Sequence, residues 1–191
     1  MAGKKNHTKD EIVSLAIRQI KETGYQSISL RRLLGDLHLT TGSFYKHFDN
    51  KNDLFTTISI TLSSQLSQHA RQFVLDAKPS TPLASLIVLG EFMITQFQEQ
   101  SNLTEFLFYN PSVLAVYQSD QKDQFPLLND VQALIQNIKV TYHITDSVDN
   151  LFIKVWSFIQ GYGILIQNGA AKYDHKLLTN AATELIGVEH P

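Results

Sequence analysis

The chain has 191 residues, enough to bury a hydrophobic core or to join a small domain to a larger one. It contains no cysteine, which excludes disulfides, thiolate catalysis and cysteine-ligated metals and suits a reducing cytoplasm. The formal net charge of -2 conceals an asymmetry: up to Asn52 there are 9 Lys and Arg against 5 acids, and beyond it 7 against 13, so the first quarter is the part suited to phosphate.

The basic start from Met1 to Val13 lacks the apolar run of an export signal and passes directly into a helical pattern, so a cytoplasmic location is expected. Periodic segments are helical almost throughout, with no run of alternating β-branched residues and no Asn-Gly or Asp-Gly hairpin signal, which makes the class all-α. A first helix is expected to open at Thr8, paired with Glu11 in a capping box, and to stop at Gly24. Its Ile12, Leu15, Ala16 and Ile20 line one face. A second helix follows Ser29, with Leu30, Leu33, Leu34 and Leu37 forming a seam and Arg31, Arg32 and Asp36 outward. After the link His38-Leu39, Thr40 caps a third helix whose Phe44 and Phe48 share the inner face.

Helix four is expected from Asn50 or Lys51 to about Asp76, before a break at Lys78-Pro79-Ser80-Thr81-Pro82. A fifth begins at Pro82 and reaches about Gln100; Asn110-Pro111 marks another start; Phe125-Pro126 opens a segment to about Tyr142, after a polar loop over 119–124. From Asp146 to Asn168 the chain is apolar nearly all the way round. The stretch Leu151 to Ile166 falls short of the ~20 residues that span a bilayer, so this helix is expected to be buried in protein. Phe152, Val155, Ile159, Gly163 and Ile166, with Leu178, Ala182 and Leu185 of the final helix, are candidates for a face covered by a second copy of the chain.

Two short helices joined by a tight turn, the second presenting small and polar residues outward, form a helix-turn-helix. Gly42 and Ser43 let backbone approach base edges closely. Thr40, Thr41, Tyr45, Lys46 and His47 supply hydroxyl, ammonium and imidazole groups for phosphate or groove, with Ser29, Arg31 and Lys51 beside them. For Arg31, Arg32 and the arm residues Lys4 and Lys5, solvated charge and phosphate contact are equally good readings.

Ile28-Ser29-Leu30-Arg31-Arg32-Leu33, followed by Leu39-Thr40-Thr41-Gly42-Ser43-Phe44-Tyr45-Lys46-His47-Phe48-Asp49-Asn50-Lys51-Asn52-Asp53-Leu54, resembles the tetracycline-repressor (TetR/AcrR) family. The resemblance covers about Thr8 to Leu54; beyond it only the helical layout agrees. It implies a three-helix DNA-binding domain, residues 1–51, and a larger helical domain, residues 52–191, that binds an effector and pairs through its last two helices with a second subunit. It would place Thr40 and Tyr45 at phosphates, Thr41, Ser43, Lys46 and His47 over bases or backbone, and Lys51 as the anchor of helix four. A homodimer on a pseudo-palindromic double-stranded operator, released by a small apolar effector and usually repressing, is the function implied. Two positions depart from the family pattern: Leu34 replaces a usual alanine, and His38 replaces the turn glycine where positive φ is required.

The effector would be lined by Phe92, Phe97, Phe106, Tyr109, Tyr117 and Trp156 and oriented by Gln96 or Gln160, although aromatics at this spacing more often simply pack inside. The seven histidines show no metal spacing, and GxSxG, Walker A and paired-carboxylate patterns are missing. No cofactor, metal, membrane partner or enzymatic activity is therefore expected. Gly161-Tyr162-Gly163 has no strand before it and reads as a site of close helix packing. The alternative function is a helical protein-interaction module that retains the helix-turn-helix shape without binding DNA.

Overall fold

The computed structural model describes the backbone of residues 2–117 and 125–188, and the side chains of 7–114 and 125–188. The side chains of Lys4, Lys5 and Tyr117 and the whole of the expected 119–124 loop lie outside the described residues. Among those described, every regular element is helical: α1 (Ala2–Thr23), a 3-10 turn (Tyr25–Ser27), α2 (Leu30–Asp36), α3 (Thr41–Phe44), α4 (Lys51–Ala77), α5 (Pro82–Glu99), α6 (Ser101–Tyr109), α7 (Pro111–Tyr117), α8 (Pro126–Thr141), α9 (Val148–Gln167) and α10 (His175–Ile186). None of these helices is long and apolar enough to cross a membrane. The chain divides into two compact units, Met1–Ser63 with Gln100–Gln124, and Ser64–Glu99 with Phe125–Pro191. Helix α4 passes from the first into the second without a break.

In the first unit α1 begins a turn and a half before Thr8, which corrects the expected capping box. Because the preceding turn is already helical, the Thr8 hydroxyl has no open amide to cap, and Glu11 instead meets His7 at 3.3 Å. The expected inner face holds, with Ile12, Leu15, Ala16 and Ile20 buried. Between α2 and α3 the chain closes in a Schellman turn: His38 N–H donates to the Gly35 carbonyl at 3.0 Å and Leu39 N–H to that of Leu34 at 2.8 Å. That geometry requires a left-handed residue, and His38 adopts φ 54°. His38→Gly should therefore stabilise the chain by about 1 kcal/mol, reduced by the freedom glycine adds to the unfolded state. A urea titration checks this; an unmoved or lowered midpoint would mean that imidazole contacts outweigh the strain.

Helix α3 is shorter than expected, a single turn. Phe48 still reaches the core because two further turns follow, with His47 and Phe48 amides donating to the Phe44 carbonyl at 2.9 and 3.1 Å. Phe44 and Phe48 are both buried, ring centroids 5.2 Å apart. Leu34, the bulky departure from the family pattern, is buried without disturbing either helix.

Helix α6 has no counterpart in the sequence reading. Its Phe106 is fully buried and meets Tyr25 and Phe55 edge-on at 5.9 and 5.3 Å between centroids. Asn102 donates to the Lys21 carbonyl at 2.9 Å, satisfying one of the open carbonyls at the end of α1, and Gln26 donates to Glu105 at 2.8 Å.

The second unit packs α5, α8, α9 and α10 around one core. Its helices start as their sequences dictate: Pro82 and Pro126 occupy first positions, Ser147 caps α9 by accepting from Asn150 N–H, and Asp174 caps α10 by accepting from Lys176 and Leu177 N–H. Lys154, the charge that interrupts the apolar run of α9, reaches back to Asp146 at 2.7 Å and, with Asn150 and Ser147, holds that carboxyl down at about 2. Gly163 lies directly under the Phe97 ring: a Cβ there would sit 2.4 Å from Phe97 Cδ2. The glycine pair thus marks close packing as expected, at Gly163 only; Gly161 is exposed with no atom near its Cβ position.

Candidate nucleic-acid interface

The outward surface of the α2–α3 segment is built from the same residues that its core excludes. With Phe44 and Phe48 turned in, Thr40, Thr41, Gly42, Tyr45 and Lys46 are exposed and Ser43 and His47 half-buried. Tyr45 is 58 % exposed and meets Phe44 in a T-shaped contact at 5.4 Å between centroids. Thr40 is committed locally, accepting from Ser43 N–H at 3.2 Å and lying 3.0 Å from the Ser43 hydroxyl, which fixes the first turn of α3. A Cβ on Gly42 would meet nothing closer than Thr40 Oγ1 at 3.8 Å, so this bare backbone is open to an external surface.

Ser29 occupies the N-cap of α2 but its side chain makes no capping hydrogen bond, so the exposed hydroxyl remains available; Arg31 and Arg32 are exposed beside it. Lys51 differs from its expected place. Its ammonium turns inward, donating to the Ile28 carbonyl at 2.6 Å and lying 5.1 Å from the Phe55 ring centroid, because that carbonyl and ring face offer it better partners than water does. Lys51 is a tie within the unit in the free chain. The start of α4 is capped instead by Asn50, which accepts from Asp53 N–H at 3.0 Å, while Asp53 accepts from Asp49 N–H at 3.0 Å.

The residues expected around an effector fall in both units. Phe106 belongs to the core of the first unit, and Tyr109 stands in that unit with its hydroxyl buried and without a partner among the described residues, a burial that pushes its pKa up. Phe92, Gln96, Phe97, Trp156 and Gln160 are in the second unit, where Phe97 is spent on Gly163. Trp156 borders a cavity of only about 30 Å³, room for a water rather than for a ligand. The expected dimer residues also divide. Ile159, Gly163, Ile166, Leu178 and Ala182 are covered by their own unit, and Phe152, Val155 and Leu185 are half-buried. The open face of α9 is instead Ile153, Ser157, Gly161 and Leu165, spaced at i, i+4, i+8 and i+12, with Leu177 exposed on α10. The hydrophobic pattern could not separate the faces, since α9 is apolar on both.

A three-helix core that presents a glycine, hydroxyls and a lysine on one short helix defines the helix-turn-helix class of regulatory proteins. Residues 12–58 match the family described as bacterial regulatory proteins, tetR family. Residues 12–58 therefore form a helix-turn-helix domain of the TetR type. The chain is 26% identical over 104 residues to the probable acrEF/envCD operon repressor of Escherichia coli (strain K12), covering 53% of this chain and 47% of that protein. It is 24% identical over 129 residues to the uncharacterized HTH-type transcriptional regulator YhgD of Bacillus subtilis (strain 168), covering 66% of each. Thus the match spans about half the length of the Escherichia coli protein. Among solved structures, the transcriptional regulator FadR of Bacillus subtilis in complex with stearoyl-CoA superposes with a TM-score of 0.66 at 16% identity, covering 94% of this chain and 98% of that one.

Proposed function

We propose that the chain is a sequence-specific, DNA-binding transcriptional regulator that acts as a homodimer and represses until a small apolar effector releases it. The observation that carries this reading is the outward set Thr41, Gly42, Ser43, Tyr45 and Lys46, uncovered on a module whose phenylalanines hold it rigidly. Backbone approach at Gly42 and short hydroxyls beside it suit base edges; Tyr45 and Lys46 suit phosphates. Arg31, Arg32 and Ser29 extend the set toward the start of α2. The functional division falls after residue 51, where the recognition surface ends.

Two chains pair through the open face of α9 and the exposed Leu177 of α10, and the two recognition helices enter successive major grooves. Half-sites then form an inverted pair centred roughly 34–36 Å apart, or a multiple of it. Repression as the sign of control rests on the Escherichia coli relative, described as a probable operon repressor. An apolar effector is supported by the FadR structure, solved with stearoyl-CoA.

Selecting bound fragments from genomic DNA tests the reading. The expected product is an inverted repeat whose affinity falls steeply with salt, the logarithmic slope being about −0.9 per neutralised phosphate. Enrichment of no sequence, with protein captured on a partner protein instead, would favour the interaction-module alternative and overturn the proposal.

A further inference from the structure

The second unit contains a groove that none of the expected effector residues touches. It runs between α4, α5 and α8, with a volume of about 410 Å³, within the usual range of ligand pockets. Its walls are Val74 and Leu75 of α4, Leu89 of α5, and Leu127 and Leu134 of α8. Leu75 is 67% exposed, so apolar surface is open to water along the groove.

One charged pair interrupts this lining. Arg71 of α4 meets Asp130 of α8 in a two-pronged contact, Nε to Oδ2 at 2.8 Å and Nη2 to Oδ1 at 2.7 Å, and Ser67 donates to the same Oδ2 at 2.7 Å. The donor and acceptor sides of the pair are unequally used. Both Asp130 oxygens are engaged, by three hydrogen bonds in all. On Arg71, Nη1 has no acceptor among the described residues, and the side chain is 59% exposed. What the groove offers a visiting molecule is therefore apolar surface with unspent guanidinium donors. A cationic head would face Arg71 and find no vacant carboxylate; an uncharged hydroxyl head would accept from the guanidinium only the weaker bond of a neutral acceptor.

We propose that this groove binds a single-chain amphiphile with a carboxylate head, the alkyl chain along Leu75, Leu89, Leu127 and Leu134 and the head on Arg71. The carboxylate competes with Asp130 for the guanidinium fork or shares it through Nη1. Either way it acts on the contact that joins α4 to α8. Binding itself stands apart from the DNA-binding reading. That the bound amphiphile serves as the effector rests on that reading, through α4, which continues from the recognition unit into this one.

The test uses the full-length chain and laurate below its micelle concentration, followed by calorimetry, with dodecanol and dodecylammonium as head-group controls. Laurate is expected to bind at one site per chain and at least about tenfold more tightly than either control. Arg71→Gln should remove that preference, while Asp130→Asn, which frees the guanidinium, should keep or strengthen it. If the ion pair were only structural, both substitutions would weaken binding alike. Leu134→Glu should abolish binding, with circular dichroism verifying the helices. Equal binding of laurate and dodecanol, preference for dodecylammonium, or indifference to Arg71→Gln would overturn the proposal. Operator affinity measured with and without laurate separates the two claims: binding without release refutes the effector role alone, and no binding refutes the groove while leaving DNA recognition intact.

Discussion

Tyr45→Ala combined with Lys46→Ala is expected to reduce operator affinity by about 10,000-fold or more while the chain stays folded and keeps its oligomeric state. Each side chain contributes a charge-assisted contact of about 1.5–3 kcal/mol, and each is used twice in a dimer. The loss should reach non-cognate DNA as well, with a shallower salt dependence, because a phosphate contact carries no base information. Stability should change by no more than about 1 kcal/mol: Lys46 is exposed, and Tyr45 gives the core only a T-shaped contact with Phe44. Tyr45→Phe separates the two roles of that residue, since it keeps the ring contact and removes the hydroxyl. Gel shifts with the selected operator, beside thermal melts of each variant, measure both quantities. Unchanged affinity in the double variant would remove this surface from recognition.

A second large effect is expected from the glycine pair of α9, two residues apart with opposite surroundings. Gly163→Leu must place atoms where the Phe97 ring lies, starting from a Cβ 2.4 Å from Phe97 Cδ2, and Phe97 is fully buried and cannot swing aside. Overpacking of this kind costs on the order of 3 kcal/mol, a drop of roughly 10 °C in melting temperature for a chain of this size. At Gly161 an added Cβ meets nothing within 4 Å and the position is exposed, so Gly161→Arg, which replaces a helix-interior glycine, is expected to be tolerated by the single chain. On the proposed paired face, however, it places two unpaired charges against each other, and sedimentation should show monomers. If Gly163→Leu melts like the parent, the Phe97 seat is not essential; if Gly161→Arg remains a dimer, the open face of α9 is not the interface.

The outward surface of the helix-turn-helix was legible because a short amphipathic segment carries its own instructions. Phenylalanines at i and i+4, a threonine cap and a glycine on the first turn leave the remaining side chains nowhere to point but outward. Even the replacement of the turn glycine by His38 pointed correctly to a left-handed residue. Two of the long helices were legible for similar reasons, their starts marked by Pro82 and Pro126; the caps at Ser147 and Asp174 came from the structure. Helix α6 was missed because it lies between two stronger signals, the end of α5 and the Asn110-Pro111 start, and its own pattern makes sense only against Tyr25 and Phe55.

Local order along the chain therefore settled the all-α class, the helix-turn-helix and the residues it turns outward, since those depend on neighbours within a turn or two. Which apolar face of α9 is spent inside the chain was decided by tertiary contact alone, when Phe97 took the space above Gly163 and left Gly161 open. The same holds for Lys51, drawn inward by a carbonyl 23 residues away, and for the groove at Arg71, whose Asp130 partner is 59 residues distant. Periodicity reports that a surface is apolar; only the packed fold determines what covers it, because burial is a property of pairs of surfaces brought together from distant parts of the chain.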